Sequence, residues 1–288
     1  MIDRAFVVLQ HVLPRHLMTA LIWRLARVRT PAVKNRLIKS FVRVFDVNLD
    51  EVRLKVPDEF ETFNDFFVRE LAPGARPLAD NADAIISPVD GTVSCAGGIR
   101  GQALFQAKNI EYSLDDLLAT DLDHASRFVD GRFATLYLAP YDYHRVHAPI
   151  AGDLVAASYV PGDLFSVNER TVSQLPGLFR RNERLVMHFQ THVGPVVLIF
   201  VGALNVGSIS TPWTGEIRPR KAGVVEALDI SGHPAHVAKG DLLGWFNMGS
   251  TVILLLPPGA GEWDAGLQPG TRLRMGEPIG RLHPPTDG

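Results

Sequence analysis

The dipeptide Gly249-Ser250 is the part of the sequence whose residue types point most directly to chemistry. It opens an apolar run, residues 252–256, which predicts a buried strand, and glycines punctuate the segment before it. A strand fixed in a core would hold the Gly-Ser peptide rigidly, and glycine permits backbone angles that other residues resist. A serine placed in this way could attack the carbonyl of the residue before it. The sequence therefore predicts a self-cleavage that cuts the chain between residues 249 and 250 and turns Ser250 into an electrophile.

An aspartate and two histidines could supply the acid-base groups that such a serine needs. Asp90 stands in a Val-Asp-Gly phrase, and His144 and His147 lie three residues apart, just before Pro149. Each has an ordinary interpretation by itself, since Asp-Gly is a frequent hairpin turn and the histidines fit a surface or partly buried loop. Together with Ser250 they give an Asp, a His and a Ser in chain order. That order suits a serine activated by a histidine that a carboxylate orients.

Two alternatives use the same residues. A serine hydrolase that acts on separate substrates would need the same three groups. However, the nucleophile elbow Gly-x-Ser-x-Gly is absent, because Thr251-Val252 follows Ser250. Attack on the chain's own backbone is therefore favoured over attack on a substrate. A phosphocarrier or hybrid-motif domain is the second alternative, suggested by the phrase around Asp90 and by the two histidines.

A zinc peptidase of similar β architecture is a third alternative. Three pairs of histidines have the spacing of metal ligands: His144 with His147, His188 with His192, and His233 with His236. None of them is accompanied by a cysteine cluster or by the glutamate of a His-Glu-x-x-His helix. We therefore predict no metal site.

The first 50 residues are basic, whereas the rest of the chain is acidic. Residues 1–50 carry a net charge of +6 and the remainder −8, and from Arg4 to Arg43 there are nine basic residues and no acidic one. Apolar residues recur at helical spacing among these charges, and a basic amphipathic helix with Trp and Leu is typical of a membrane interface. The alternative is a helix packed on its own domain with a solvated basic face. We predict an anionic phospholipid membrane as the partner rather than nucleic acid. The apolar segment split by Pro14 is too short for an anchor that spans the bilayer.

Helical patterns give way to short strands along the chain. Residues 1–45 read as helical, and residues 58–72 predict a further helix with aromatic residues on one side. The later apolar runs, divided by Gly, Pro and Asp, predict strands at 84–86, 91–95, 133–139, 152–159, 185–191, 196–203, 223–228, 250–256 and 281–282. The predicted fold class is α+β. It has a basic, amphipathic, helical membrane-associating region at residues 1–75 and a β-rich, sandwich or barrel-sandwich-like catalytic body at residues 76–288.

Several phrases in order along the chain carry a resemblance to a known family. They are Phe63-Asn64-Asp65-Phe66-Phe67-Val68-Arg69-Glu70-Leu71, Pro73-Gly74-Ala75-Arg76-Pro77, Ser87-Pro88-Val89-Asp90-Gly91, Tyr143-His144-Arg145-Val146-His147, Asn182-Glu183-Arg184, Val201-Gly202-Ala203 with Val206-Gly207, and Lys239-Gly240-Asp241 to Gly249-Ser250-Thr251. With these phrases the sequence resembles the proteobacterial phosphatidylserine decarboxylases, which are membrane-associated and depend on a pyruvoyl group. The resemblance covers nearly the whole chain, and it is specific because unrelated phrases occur in the same order.

The resemblance implies a role for each residue of the triad. Asp90 would orient His147, and His147 would activate Ser250 to attack the carbonyl of Gly249. Elimination and hydrolysis would leave a pyruvoyl group at position 250, with a β chain of residues 1–249 and an α chain of residues 250–288. The two chains would remain together as a heterodimer, and a homodimer of such αβ units is a further assembly that the resemblance admits.

The resemblance also implies the reaction. Phosphatidylserine would lose CO2 to give phosphatidylethanolamine, through a Schiff base between the substrate amine and the pyruvoyl ketone, which acts as the electron sink. The chain would then need no added cofactor. His144 is a candidate for handling protons or the substrate phosphate during decarboxylation. The expected location is the cell membrane, with the protein bound peripherally on the cytoplasmic side.

Overall fold

Three helices form the N-terminal region of the computed structural model, which describes residues 2–107, 110–119 and 122–283. They are α1 (Ile2–Val12), α2 (Arg15–Ala26) and α3 (Pro31–Phe45). Proline suits the first turn of α3 because its missing N–H has no intrahelical partner there, and Asp46 ends the helix in the left-handed region at φ 50°. The prediction of helix over residues 1–45 is confirmed, with breaks at the two ends of α2. No helix in the described ranges is long and apolar enough to cross a bilayer.

The next helix is much shorter than the sequence predicts. Only α4 (Phe63–Phe67) forms within residues 58–72. A capping box between Thr62 and Asp65 starts it, and the chain then leaves the helix so that Leu71 can form an isolated bridge with Val52. The predicted aromatic side is nevertheless confirmed. A second hydrophobic core, separate from that of the sheets, buries these residues: Ala26, Ile38, Val47, Phe60, Phe63, Phe66 and Phe67.

The rest of the described chain contains strands and four further short helices. The helices are α5 (Leu114–Leu118), α6 (Leu122–Ser126), α7 (Glu169–Val172) and α8 (Leu178–Arg181). The strands are β1 (Ala84–Ile86), β2 (Gly91–Gly98), β3 (Ala103–Ala107), β4 (Ile110–Ser113), β5 (Arg132–Leu138), β6 (Arg145–His147), β7 (Gly152–Val160), β8 (Arg184–Thr191), β9 (Gly194–Val201), β10 (Ile209–Thr211), β11 (Gly215–Ile217), β12 (Glu226–Ala227), β13 (His236–Val237), β14 (Leu242–Phe246), β15 (Ser250–Leu256), β16 (Gly261–Trp263), β17 (Arg272–Leu273) and β18 (Pro278–Leu282).

A large antiparallel sheet organises the body. Its strand order is β12-β7-β8-β9-β15-β5-β2-β17, with β13 paired to β7. A four-stranded sheet, β11-β10-β14-β6, a three-stranded sheet, β1-β18-β16, and the β3-β4 hairpin complete it. Within the described ranges no sheet closes into a barrel, and the α+β class is confirmed. The division of the chain at residues 75 and 76 stays a prediction.

Strand β15 lies at the centre of the large sheet. It pairs with β5 on one side and β9 on the other, and all of its residues are buried. A strand covered on both faces reads as a continuous apolar run, which is the pattern of residues 252–256. Ser250 therefore begins a strand that the fold holds rigidly, as the sequence predicts.

Candidate active site

Ser250 presents a buried hydroxyl without a hydrogen-bond partner. Its exposed fraction is 0%, and its backbone pairs with Leu138 of β5. Among the described residues, none forms a hydrogen bond with its Oγ. A buried polar group that stays unpaired costs free energy, so such groups are rare in cores and call for a chemical explanation. The neighbouring Thr251 Oγ1 is unpartnered in the same way.

The backbone strain before Ser250 lies at Met248, not at Gly249. Met248 has φ 120°, a region that side chains other than glycine rarely adopt. Gly249 is outside that region, and a Cβ added to it would meet its nearest neighbour, Leu138 O, at 4.0 Å. The interpretation that glycine supplies the unusual angles of this turn is therefore wrong. A conformation such as that of Met248 costs on the order of 1–3 kcal/mol and persists only where the surrounding structure imposes it.

A cavity of about 410 Å³ opens beside the Gly249-Ser250 bond. Its polar lining residues include Ser166, Asn168 and Asn205, and its apolar ones include Phe67 and Met248. The segment that contains Ser166 is tied to the first helix, because Gln10 of α1 accepts from the Ser166 backbone N–H at 2.8 Å. The cavity is large enough to admit a small polar group next to the serine.

Asp90 is a buried member of an ion-pair network. Arg76 donates to both of its carboxylate oxygens, with Nε–Oδ1 at 2.8 Å, and the Met275 backbone N–H donates to Oδ1 at 2.8 Å. Arg76 also pairs with Glu51. Burial by itself would lower the pKa of Arg76, but its hydrogen bonds to Asp90 and Glu51 raise it above the ordinary value. Asp90 is therefore held as a charged, oriented carboxylate rather than a solvated turn residue.

The segment of His147 meets the segment of Asp90 in space, since the His147 backbone N–H donates to Pro88 O at 2.9 Å. Its Nδ1 donates to Gly240 O at 2.8 Å, which leaves Nε2 as the acceptor of the Tyr143 hydroxyl at 3.0 Å. Burial lowers the pKa of His147, while the charge of Asp90 acts in the opposite direction. In the described residues neither ring nitrogen bonds to Asp90 or to Ser250. The fold thus brings Asp90 and His147 into electrostatic reach and leaves Ser250 without a direct partner.

His144 is completely buried and directly precedes β6, the strand that contains His147. Its Nδ1 contacts Asp142 O at 2.8 Å, and its ring lies 4.1 Å from that of Phe67, which lines the cavity. Its Nε2 has no partner among the described residues. Burial, reinforced by the charge of Arg69, lowers the pKa of His144 to about 3. The ring is therefore neutral at physiological pH and carries a free lone pair.

The other histidine pairs do not assemble a metal site. Among the described residues, no group of three or more His, Cys, Asp and Glu side chains could hold a metal ion. His188 packs near His124 with 5.2 Å between ring centroids, and His236 bonds to Asp153.

Arg69, Arg76 and Tyr143 belong to the site, although sequence reasoning assigned them no role. All three stand in the phrases that carry the family resemblance. A pattern of residue types does not show which carboxylate or carbonyl each will reach, because those partners come from other parts of the chain. Their occurrence in the sequence motifs shared with the family was the signal that could have identified them as site residues.

Glu183 is a second buried group with an unusual proton affinity, and it yields a pH prediction. The Tyr159 hydroxyl donates to its Oε2 at 2.5 Å, and burial raises the pKa of Glu183 to about 8. A carboxyl whose folded pKa lies above its unfolded value stabilises the fold at low pH and loses that contribution as pH rises through the folded pKa. From about pH 6.5 to about pH 8, we expect the free energy of unfolding to fall by up to about 1.4 kcal/mol per pH unit.

Denaturant melts of the Glu183→Gln variant check this expectation. The variant lacks the ionisable group, so the decline that Glu183 contributes should be absent from it over the same range. Glu262→Gln, which changes an exposed glutamate of β16, serves as the control and should keep the slope of the unsubstituted protein. Equal slopes in the unsubstituted protein and Glu183→Gln would show that Glu183 is not the group that titrates.

Comparison with known proteins finds the same family along most of the chain. A family model described as phosphatidylserine decarboxylase matches residues 63–281, and a second, described as PSD, matches residues 5–46. The chain is 44% identical to the phosphatidylserine decarboxylase proenzyme of Saccharophagus degradans over 97% of this chain and 98% of that protein. It is 46% identical to the proenzyme of Azotobacter vinelandii, again over 97% and 98%, and 44% identical to that of Methylococcus capsulatus over 96% of each.

Proposed function

The chain belongs to the phosphatidylserine decarboxylase family, and from that premise we propose that it is a proenzyme that cuts itself and then converts phosphatidylserine to phosphatidylethanolamine and CO2. The observation that carries the proposal is the buried, unpartnered hydroxyl of Ser250, next to a strained residue and beside a cavity. A hydroxyl with no hydrogen bond to give up is free to attack the neighbouring carbonyl. The structure around it also fits a pyruvoyl group, because the cavity leaves room beside the atom that would become the ketone carbon.

The self-cleavage proceeds in steps that the chain's own atoms supply. Ser250 Oγ loses its proton and bonds to the carbonyl carbon of Gly249, and the Gly249-Ser250 amide bond breaks as its nitrogen gains a proton. The peptide becomes an ester, and residue 250 carries a free amine. Removal of the Cα proton of residue 250 then expels Gly249 as a carboxylate and leaves dehydroalanine. Water replaces its nitrogen, which departs as ammonia, and a ketone remains at position 250. That group supplies a carbonyl for the substrate amine and a sink for the electron pair left when CO2 departs.

His147 is our proposed base, and Asp90 is the carboxylate whose charge assists it, whereas the Gly240 carbonyl orients the ring. The hydrogen bond from Nδ1 to Gly240 O keeps the lone pair on Nε2, the tautomer that a base requires. Asp90 is held charged by Arg76, and its field favours the protonated imidazole that forms when His147 takes a proton. To reach Ser250, the Nε2 atom has to exchange the Tyr143 hydroxyl for the serine. We assign His144 to the later proton transfers during decarboxylation.

The α and β chains stay together in this proposal because the cut lies at the end of a central strand. After cleavage β15 would begin the α chain, and it pairs with β5 and β9 of the β chain along its length. Strand β18 of the same chain pairs with β1. Residues 284–288 of the proposed α chain lie outside the described residues.

An apolar groove between α2 and α3 supports a lipid substrate. Its volume is about 280 Å³, and it shares Phe41, Phe45 and Met248 with the cavity beside Ser250. The groove also contacts Leu25 and Val44, which are 48% and 72% exposed. An acyl chain lying in the groove would bring the lipid headgroup toward the serine.

Exposed apolar and basic side chains of the three helices support an anionic membrane as the partner. The apolar ones are Val8, Leu9, Val12, Leu17, Leu21, Leu25, Val33, Val44 and Phe45, and the exposed basic ones include Arg24, Arg29, Arg36, Lys39 and Arg43. Arg15 and Arg27 instead pair with Asp163 and Glu216 and hold the helices to the body. Such a surface gains both apolar burial and about 1 kcal/mol for each basic residue near anionic lipid.

Replacing two of these side chains tests the membrane surface. The Leu17→Glu/Leu21→Glu variant should bind vesicles of phosphatidylserine and phosphatidylcholine at least about tenfold more weakly, because two leucines leave the interface and two negative charges face anionic lipid. Val155→Glu on β7, an exposed valine of the body, is the matched control and should float with vesicles like the unsubstituted protein. Equal binding of all three proteins would exclude α2 from the membrane contact.

Intact mass and product analysis test the whole proposal. Purified protein should separate on a denaturing gel into two chains, and the smaller should be a 39-residue fragment, residues 250–288, with a blocked N-terminus. The same preparation should release CO2 from phosphatidylserine and form phosphatidylethanolamine. An unbroken chain with esterase activity would instead identify a serine hydrolase that acts on separate substrates.

A further inference from the structure

Arg69 is a buried arginine whose guanidinium has only neutral partners. The residue is 4% exposed, and within the described part of the chain it makes no ion pair. Its Nη2 donates to Tyr141 O at 2.9 Å and Asp142 O at 3.3 Å, and its Nη1 donates to Phe67 O at 3.5 Å. A buried cation is normally paired with an anion because its desolvation is costly. The position of this one therefore requires an explanation.

The carbonyl of Asp142 joins Arg69 to His144. It accepts from Arg69 and lies 2.8 Å from His144 Nδ1. A carbonyl oxygen can only accept, so Nδ1 carries the imidazole hydrogen and Nε2 carries the lone pair. Phe67, whose carbonyl accepts from Arg69, also lies against the His144 ring. Two of the contacts that fix this ring are thus anchored to one guanidinium.

The charges of Asp90 and Asp142 favour the charged form of Arg69, but both carboxylates form their ion pairs with other arginines. Asp142 directs its own carboxylate to Arg272 at 2.7 Å and to the Ala139 backbone N–H at 2.7 Å. Asp90, whose charge also acts on Arg69, is engaged by Arg76. Burial lowers the pKa of Arg69 to about 10, so it remains charged at physiological pH.

Two other titratable groups near His144 in the sequence, Tyr143 and His147, interact with each other through a shared hydrogen bond. Among the charged side chains of the described residues, Arg69 is the one whose charge affects His144 appreciably. It lowers the pKa of His144 and so disfavours the doubly protonated ring. His144 therefore meets a fixed positive charge in an apolar surrounding.

We propose that Arg69 is a positioning residue for His144: it anchors the Asp142 carbonyl that fixes the hydrogen on Nδ1 and so leaves the lone pair on Nε2. The inference rests on the proposed function, in which His144 transfers protons during decarboxylation. Arg69 touches neither Ser250 nor the cavity beside it, and it acts through the histidine.

The test compares Arg69→Gln and Arg69→Lys with Arg184→Gln. Arg184 is a matched control, because it is a second buried arginine, 2% exposed, and within the described residues its guanidinium donates only to backbone carbonyls, none of which bonds to His144. Turnover of phosphatidylserine is measured per mole of pyruvoyl group across the pH range, so that unfolded or uncut protein does not count. Imidazole ¹⁵N NMR on the uncut Ser250→Ala chain, with and without Arg69→Gln, reports the tautomer and titration of His144 independently of activity.

Arg69→Gln should lower normalised kcat about tenfold or more with little change in KM, since the residue acts on proton transfer and not on substrate binding. The titration of His144 should move to higher pH by about one unit, because an opposing charge has been removed. A neutral base is active above its pKa, so the acidic limb of the turnover profile should move in the same direction. Arg69→Lys keeps the charge and should recover most of both effects.

Arg184→Gln should lower the melting temperature but leave normalised kcat and the pH profile unchanged. The inference would be overturned if Arg69→Gln and the unsubstituted protein had the same normalised turnover and the same His144 titration. It would also be overturned if Arg69→Gln and Arg184→Gln lost normalised turnover equally. If the unsubstituted protein neither cuts itself nor releases CO2, the proposed function fails. The NMR comparison would then still decide whether Arg69 controls the protonation of His144.

Discussion

The Ser250→Ala variant should accumulate as a single uncut chain of 288 residues with no decarboxylase activity. Alanine has no oxygen to form the ester and no leaving group at Cβ, so neither the cleavage nor the ketone can arise. We expect a loss of activity at the limit of detection rather than a partial reduction. Denaturing gels, intact mass and CO2 release from phosphatidylserine measure the three consequences together.

The same substitution should not damage the fold. Removing a buried hydroxyl that lacks a partner also removes its desolvation cost, which is on the order of 1–3 kcal/mol, so the melting temperature should stay level or rise. Thr251→Val is the matched control, since it removes a second buried and unpartnered hydroxyl one residue away and preserves the side-chain shape. That variant should cut itself and remain active. Decarboxylation by an uncut Ser250→Ala chain would exclude a pyruvoyl group at this position.

The sequence predicts those elements whose patterns are local. Helices α1 to α3 and the central strand β15 follow from apolar periodicity and from a continuous apolar run. Strand β14 was missed because the glycines around residues 242–246 suggest a turn. Its strand state comes from pairing with β10 and β6, which lie far away in the sequence. Gly244 is required there because a Cβ would lie 2.5 Å from Ser210 O, not because the chain turns.

The chemistry of the site could be predicted only as residue types in chain order. Ser250 is identified by its place at the start of an apolar strand, and the structure confirms that strand. The partners of His147, the carbonyl of Gly240 and the hydroxyl of Tyr143, are set by the pairing of β6 with β14 and by the loop before it. Met248, with its positive φ, lies between the end of β14 and the start of β15, and no local sequence pattern indicates that conformation. The order of residue types in the sequence indicates candidate site residues, whereas pairing between strands that are distant in the sequence determines the hydrogen-bond partners of those residues.

Separate substitutions of His144 and His147 should separate the effect on self-cleavage from the effect on decarboxylation. We expect His147→Ala to accumulate the uncut chain, because the proposed base for Ser250 is lost. We expect His144→Ala to cut itself normally but to decarboxylate about a hundredfold more slowly per pyruvoyl group, which lies within the usual contribution of a general acid or base. Gel densitometry over time gives the first rate, and CO2 release per mole of pyruvoyl group gives the second.

The geometry makes this comparison decisive, since His144 Nε2 and Ser250 Oγ are both buried and unpartnered, whereas His147 Nε2 is already bonded to Tyr143. If His144→Ala remains uncut while His147→Ala is processed, His144 is the base for self-cleavage and the proposed triad is wrong. His188→Ala controls for the loss of a buried imidazole, because burial also lowers the pKa of His188 to about 4 and its ring packs against His124 in the body. That variant should keep both reactions. A loss of rate in His144→Ala or His147→Ala that is larger than the loss in His188→Ala therefore reports the chemistry of the site.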